Sequence, residues 1–253
     1  MSPRGQPAMG FGVPPLTRGV KWLGGATLAV SILTAVLGDS GRALARIVIF
    51  TPAELWSGYL WQPFTYTFLF DRDPVGLLFG LLGLWLLGAS LEQRWGTRRF
   101  ITFYLATAAL GAVATSLVGL VARETVWVWR YTGNWPALEG LIAAFAVLMP
   151  NAQIFLYFVP VRARWMLPIS AGITVLYMLM SPREWWAYLP QLFGLGAGIL
   201  LAGGVGPRNL LLRFRVWWID RRMRRSRLRV IRGKDEEAGP FTESGRGSDK
   251  YLH

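Results

Sequence analysis

Two acidic side chains, Glu92 and Glu139, fall within long apolar stretches of the sequence. An ionisable group is costly in hydrocarbon and usually faces a partner or a cavity, so both are candidates for function. Gly88, Glu92 and Gly96 recur every four residues and therefore line one face of a helix, where small residues let a neighbouring helix approach. The simpler interpretation of Glu92 is a hydrogen-bonded carboxylate at a helix end.

Two residue types that often catalyse hydrolysis or bind metals, cysteine and internal histidine, are missing from the sequence. There is no cysteine, and the single histidine is the last residue, His253. Thiolate nucleophiles, disulfides, iron–sulfur clusters and histidine metal sites are therefore excluded, and no internal histidine can activate a serine. We expect no cofactor and no metal ion. Three serines in apolar stretches have no base near them in the sequence: Ser31, Ser116 and Ser170.

The elements that must position these groups are membrane-spanning helices. The chain has 253 residues, 53% of them hydrophobic, with a mean hydropathy of +0.36. A spanning helix needs roughly 17 to 25 apolar residues, and six charge-free windows satisfy this. We expect the fourth span to be short, ending near Pro150 and reaching back toward Pro136. A further apolar stretch, 55–70, is rich in Trp and Tyr and predicts an interfacial or re-entrant loop. The six windows are 22–38, 74–91, 100–122, 140–161, 165–182 and 185–207.

The basic residues are distributed unevenly between the two ends of these spans. Six spans put both termini on one side, and 21 of the 27 Lys and Arg fall there. This asymmetry predicts cytoplasmic termini. A cleaved secretory signal is the competing interpretation of 22–38, but no clean cleavage site follows it. The strong preference for Arg over Lys suggests a GC-rich bacterial genome, and hence a multi-pass protein of the bacterial inner (plasma) membrane.

Composition divides the chain into four segments. Residues 1–21 form a cytoplasmic tail and 22–206 the transmembrane domain. In 207–232, Arg alternates with Leu, Trp and Ile, which predicts a basic amphipathic helix lying on anionic lipid. Residues 233–253 have no periodicity and are expected to be disordered. Although the net charge is +13, a basic segment tethered to a span meets lipid first, so we expect no nucleic-acid partner.

Several motifs together resemble the rhomboid family of intramembrane serine proteases. That family's second helix carries GxxxExxxG followed by an aromatic residue and a tyrosine, and its first loop carries a Trp-Arg motif. The resemblance covers about residues 20–206. It implies an all-α bundle of six transmembrane helices, with a long, partly membrane-sunk loop between helices 1 and 2. The matching residues are Gly88, Glu92, Gly96, Phe100 and Tyr104 in the helix, and Trp61 and Thr65 in the loop, with Gln62 where Arg is usual.

The catalytic positions of the rhomboid family carry other residues here. The resemblance places Trp135 at the serine nucleophile and Gln191 at the histidine base, while Gly194 and Gly198 of that motif are kept. The oxyanion-stabilising His and Asn of helix 2 correspond to Gly76 and Gly80. Indole and amide supply neither a nucleophile nor its base, and glycine at both oxyanion positions supplies no side-chain donor.

Glu139 follows Trp135 by one helical turn and lies on the same face. The resemblance sets it opposite Gln191, so we hypothesise a hydrogen bond that ties helix 4 to helix 6. The alternative is a protonated Glu packed without a specific partner. Gly140 on helix 4, with Gly194 and Gly198 on helix 6, also predicts close packing of these helices.

Together, these features predict a rhomboid-like pseudoprotease that binds or scaffolds transmembrane segments of client proteins in the lipid bilayer. Two alternatives stay open. One is an active rhomboid-type endopeptidase with unrecognised catalytic residues. The other is a small membrane transporter, although Glu92 and Glu139 are the only ionisable residues that the spans offer to line a path.

Overall fold

The computed structural model describes residues 14–71, 73–156 and 159–203, which form a helical bundle with one short β-hairpin. The helices are α1 (Arg18–Val36), α2 (Gly38–Val48), α3 (Pro52–Trp56), α4 (Gln62–Thr65), α5 (Pro74–Trp95), α6 (Thr97–Gly119), α7 (Trp135–Leu148), α8 (Ala163–Met180) and α9 (Leu189–Ala202). Single 3₁₀ turns lie at Tyr66–Phe68 and Trp185–Tyr188. Strands β1 (Gln153–Leu156) and β2 (Val159–Arg162) pair antiparallel.

The predicted six-span helical architecture is confirmed. Spans 1 to 6 correspond to α1, α5, α6, α7, α8 and α9. Five helical segments are long and apolar enough to cross a bilayer, the last of them counted from Trp185 through α9. The other is α7, which has 14 residues and is therefore only about 21 Å long. It ends at Leu148, just before Pro150, as the sequence predicted.

Three local features differ from the sequence-based expectation. Helix α1 begins at Arg18, inside the segment expected to be a tail, because Glu92 caps its first turn. The end of the 140–161 window forms the β-hairpin. The amphipathic helix α2 was not predicted; it follows α1 directly, at Gly38, whose φ of +54° favours glycine. The segments 207–232 and 233–253 lie outside the described residues.

The loop between α1 and α5 is folded into short helices rather than left irregular. Helices α3 and α4 both pack on α6, and the Tyr66 hydroxyl donates to the Ala108 carbonyl at 2.9 Å. Gln62, of the Trp61-Gln62 motif, forms hydrogen bonds to other residues of the same loop. Gln62 is fully buried, where its Oε1 accepts from the Thr51 N–H at 3.2 Å and its amide donates to Glu54. The loop is therefore a rigid part of the domain.

Helix α7 stands at the centre of the bundle, in contact with α5, α6, α8 and α9. Its small residues allow this, since Ala137, Ala143 and Ala144 are all fully buried. Helix α8 is the peripheral member. Only 11% of its most apolar window is buried, against 50% for α6.

Candidate functional site

The start of α7 carries the first group of candidate site residues. Gly133, with a φ of +92°, turns the chain into the helix, and Asn134 at the N-cap is fully buried. The Asn134 side-chain amide donates to the Gly80 carbonyl on α5 at 3.2 Å. A Cβ at Gly80 would lie 2.7 Å from Asn134 Oδ1, so only glycine fits against this amide. Trp135 and Gly80, assigned to the same rhomboid site, are thus both next to Asn134.

Aromatic rings fill the space beside Asn134. Phe70 and Trp135 meet edge to face, with ring centroids 6.4 Å apart. The Phe70 ring also reaches Gly80, where an added Cβ would lie 2.6 Å from it. Trp135, half-buried, supplies one N–H donor and no acceptor for a proton. The groups at this position therefore pack and donate, and they provide neither a nucleophile nor a base.

Gly76 has a structural task at the other candidate oxyanion position. Its N–H donates to Asp73 Oδ1 at 2.7 Å, which caps the first turn of α5. A Cβ at Gly76 would overlap the Asp73 carboxylate. The Gly76 N–H is therefore already used in the N-terminal cap of α5.

Glu139 bonds to α8, not to α9, and this corrects the predicted pair with Gln191. Its carboxylate accepts from Ser170 Oγ at 2.5 Å and from Thr174 Oγ1 at 3.4 Å. Gln191 is half-buried on α9 and is not among the partners of Glu139 within the described part of the chain. Pro136 and Gly140 form the α7 ridge that faces α9, and Glu139 lies about 100° around the helix from Gly140.

Removing the Glu139 carboxylate should loosen α8 by a modest amount. Hydrogen bonds between membrane helices contribute about 0.6 kcal/mol on average, so we expect Glu139→Ala to lower the unfolding free energy by roughly 1 kcal/mol. A double-mutant cycle with Ser170→Ala plus Thr174→Val, measured by thermal unfolding in detergent, isolates the interaction. Strictly additive losses would show that the three side chains do not interact.

Glu92 joins three helices at the opposite end of the bundle. Its carboxylate accepts from the N–H groups of Gly19 at 2.7 Å and Val20 at 3.0 Å, in the first turn of α1. It also accepts from the hydroxyls of Thr17 and, at 2.6 Å, of Thr97 at the start of α6. Glu92 thus caps α1 with a negative charge and fixes the turn between α5 and α6.

The glycines flanking Glu92 permit this junction. A Cβ at Gly88 would lie 2.8 Å from the Phe100 ring and 3.2 Å from Val20, so glycine lets α1 and α6 reach α5. Gly96 ends α5 with a φ of +79°, a backbone conformation that favours glycine. The GxxxExxxG motif is therefore the meeting point of α1, α5 and α6.

The small residues of α7 and α9 bring the two backbones into contact. A Cβ at Gly194 would lie 2.3 Å from the Pro136 carbonyl oxygen, and one at Gly198 would lie 2.6 Å from the Cα of Gly140. Gly140 in turn packs on Thr107 of α6. Glycine at these positions is a packing requirement.

Asn134, Thr174 and Phe70 were missed by reasoning from the sequence, and Ser170 was considered only as a serine without a base. Asn134 carried a signal, since it is a polar residue two positions before Pro136, at the start of an apolar run. Ser170 and Thr174 are four residues apart and so share a helix face, which could have identified them as partners for a buried acid. Phe70 gave no signal, because its contact with Trp135 depends on the fold of the loop.

Comparison with known proteins places these features in a family. Residues 21–200 match the model of a family described as eukaryotic integral membrane protein (DUF1751). The chain is also 24% identical over 179 residues to Rhomboid-like protein 19 of Arabidopsis thaliana. The aligned region covers 68% of this chain and 55% of that protein. The chain thus spans about half the length of this curated relative.

The family description bears on the predicted location. It supports an integral, multi-pass membrane protein, but it gives no support to the bacterial inner membrane. The cytoplasmic orientation of the termini stays a prediction. The match covers α1 to α9 almost completely, including both glutamates and the glycines around them. This chain belongs to the DUF1751 family of integral membrane proteins and is a rhomboid-like member.

Proposed function

We propose that this protein is a rhomboid-like pseudoprotease, which binds transmembrane segments of client proteins without cleaving them. One observation carries the proposal: the start of α7, where the rhomboid resemblance puts the nucleophile, is occupied by Trp135, Asn134 and Phe70. Acyl transfer needs a hydroxyl beside a base, together with donors aimed at the developing oxyanion. The Asn134 amide is not available as such a donor, since it already bonds to the Gly80 carbonyl.

Ser170 is the strongest remaining candidate for a nucleophile, because its hydroxyl contacts the Glu139 carboxylate. It lies inside α8, where backbone N–H groups are used by the helix itself. No pair of free N–H donors is therefore available to stabilise an oxyanion at this place. Packing of α8 against α7 is the role of Ser170 that the geometry supports.

The exposed apolar face of α8 supports the client-binding part of the proposal. Leu176 and Leu179 on α8 are 54% and 73% exposed, and Leu78 on α5 is 65% exposed. A client helix that enters beside α8 would meet these side chains and, deeper in the bundle, Trp135. Because α8 is peripheral, it can shift away from α7 with little loss of buried surface, although this would break its hydrogen bonds to Glu139.

Site-specific photocrosslinking tests this binding mode. A photoactivatable residue is placed at Trp135 or at Leu176. The matched control position is Leu117 on α6, whose exposure of 53% is close to the 54% of Leu176. The probe is a labelled single-span peptide reconstituted with the protein in liposomes. We expect the peptide to be captured at least several-fold more at positions 135 and 176 than at 117. Equal capture at all three, or capture of lipid alone, would contradict the proposal.

A further inference from the structure

A groove of about 460 Å³ lies between the first turns of α6 and the last turn of α9, with the end of α5 at one side. We call it the α6–α9 groove; it is lined by Trp95, Arg98, Arg99, Thr102, Phe103 and Leu201, among others. Its volume falls within the range of about 300 to 1,000 Å³ found for small-molecule sites. It is on the Glu92 side of the bundle, away from Asn134 and Trp135.

The groove has an apolar floor and a cationic rim. Phe103 is buried and packs on Trp95 with ring centroids 4.8 Å apart. The Arg99 guanidinium lies over the Trp95 ring, 5.4 Å from the centroid of that ring. Arg99 is thereby held in place by a cation–π contact, and Arg98 is exposed beside it.

Within the part of the chain that the structure describes, no carboxylate forms an ion pair with the arginines of this rim. The nearby carboxylate, Glu92, is buried and accepts four hydrogen bonds at the α1 junction. Among the described residues, the ion pair found joins Arg42 with Asp39, far along the chain. Two guanidinium groups at a membrane helix end therefore line an apolar groove without a carboxylate partner among the described residues.

We propose that the α6–α9 groove binds one anionic phospholipid. Paired guanidinium groups suit a phosphate, to which arginine bonds with two N–H groups at once. The phosphate would lie between Arg98 and Arg99, while an acyl chain descends over Phe103 and Leu201. The site is built from residues of α5, α6 and α9. It does not depend on the client-binding proposal.

Lipid photocrosslinking on the full-length protein tests the site. The probes are photoactivatable phosphatidylglycerol and phosphatidylcholine, reconstituted separately, with labelled peptides identified by mass spectrometry. We expect phosphatidylglycerol to label α6 and α9 around Phe103 and Leu201, and phosphatidylcholine to label them far less. Each basic residue near a membrane surface contributes on the order of 1 kcal/mol to anionic lipid binding. The double variant Arg98→Gln/Arg99→Gln should therefore bind about 30-fold more weakly at this site.

Two further variants separate the groove from general charge attraction. Arg94→Gln removes one exposed positive charge from the same end of α5 without touching the groove, and it should leave the labelling unchanged. Arg98→Lys/Arg99→Lys keeps the charge and should retain part of the labelling. Equal labelling by both lipids, or labelling that survives Arg98→Gln/Arg99→Gln, would overturn the proposal. So would labelling confined to residues 207–232.

Discussion

Gly194→Leu should abolish stable folding of the transmembrane domain. Even the first added carbon would lie 2.3 Å from the Pro136 carbonyl oxygen, a contact with backbone that no side-chain rotation relieves. Helices α7 and α9 would have to separate, and the packing of α7 on α6 would be disturbed as a result. Overpacking a core typically costs 1–3 kcal/mol, and a backbone clash at the bundle centre should reach about 3 kcal/mol or more. Thermal unfolding in detergent, together with the yield of monodisperse protein, measures the loss.

Gly196 offers a matched control two residues away on the same helix. A Cβ added there meets nothing within 4 Å, so Gly196→Leu should change the unfolding free energy by less than about 0.5 kcal/mol. Equal stability of the two leucine variants would contradict close packing of α7 and α9.

Glu92→Ala should release the first turn of α1 and lower the unfolding free energy by about 3–5 kcal/mol. The change removes the charged acceptor for Gly19, Val20, Thr17 and Thr97 at once. Hydrogen bonds to charged groups contribute about 1.5–3 kcal/mol each, and they are not additive within one cluster. Because the chain has no cysteine, a single cysteine at Val20, which is 4% exposed, can report the opening of α1 by its labelling rate.

Glu92→Gln should lose about half as much as Glu92→Ala. One carboxylate oxygen accepts from Gly19 and the other from Val20, so either orientation of an amide turns its NH₂ toward a backbone N–H. The control is Gln93→Ala, at an exposed position on the same turn of α5, which should leave both readouts unchanged. A Glu92→Ala variant as stable as Gln93→Ala would show that the junction does not hold α1.

The sequence alone was enough to predict the elements whose signal is local. Each of the six apolar windows corresponds to a helix, five of them long enough to cross a bilayer and the shorter α7 ending just before Pro150 as predicted. The every-fourth-residue spacing of Gly88, Glu92 and Gly96 placed them on one face, where the structure has its three-helix junction.

The features that could not be predicted depend on which helices become neighbours. Glu139 was paired with Gln191 because both lie on the rhomboid-type site, yet α9 approaches the Pro136–Gly140 ridge and leaves Glu139 to α8. The role of Asn134 required the position of Gly80, 54 residues away. The strand pair after α7 is too brief for periodicity to identify. Helix α2 has 11 residues and an amphipathic pattern, but it lies outside the apolar windows that were used to find the helices.

The mass of a captured membrane segment shows whether the fold binds such segments without cutting them. The single-span peptide is crosslinked at position 135 after prolonged incubation in liposomes, and its length is measured by mass spectrometry. The Ser170 hydroxyl bonds to the Glu139 carboxylate, which makes Ser170 the strongest candidate nucleophile for any residual cleavage. The variant Ser170→Ala is therefore measured in parallel. The proposal predicts an intact peptide attached to both proteins. A shortened peptide on the unmodified protein, restored to full length by Ser170→Ala, would contradict it.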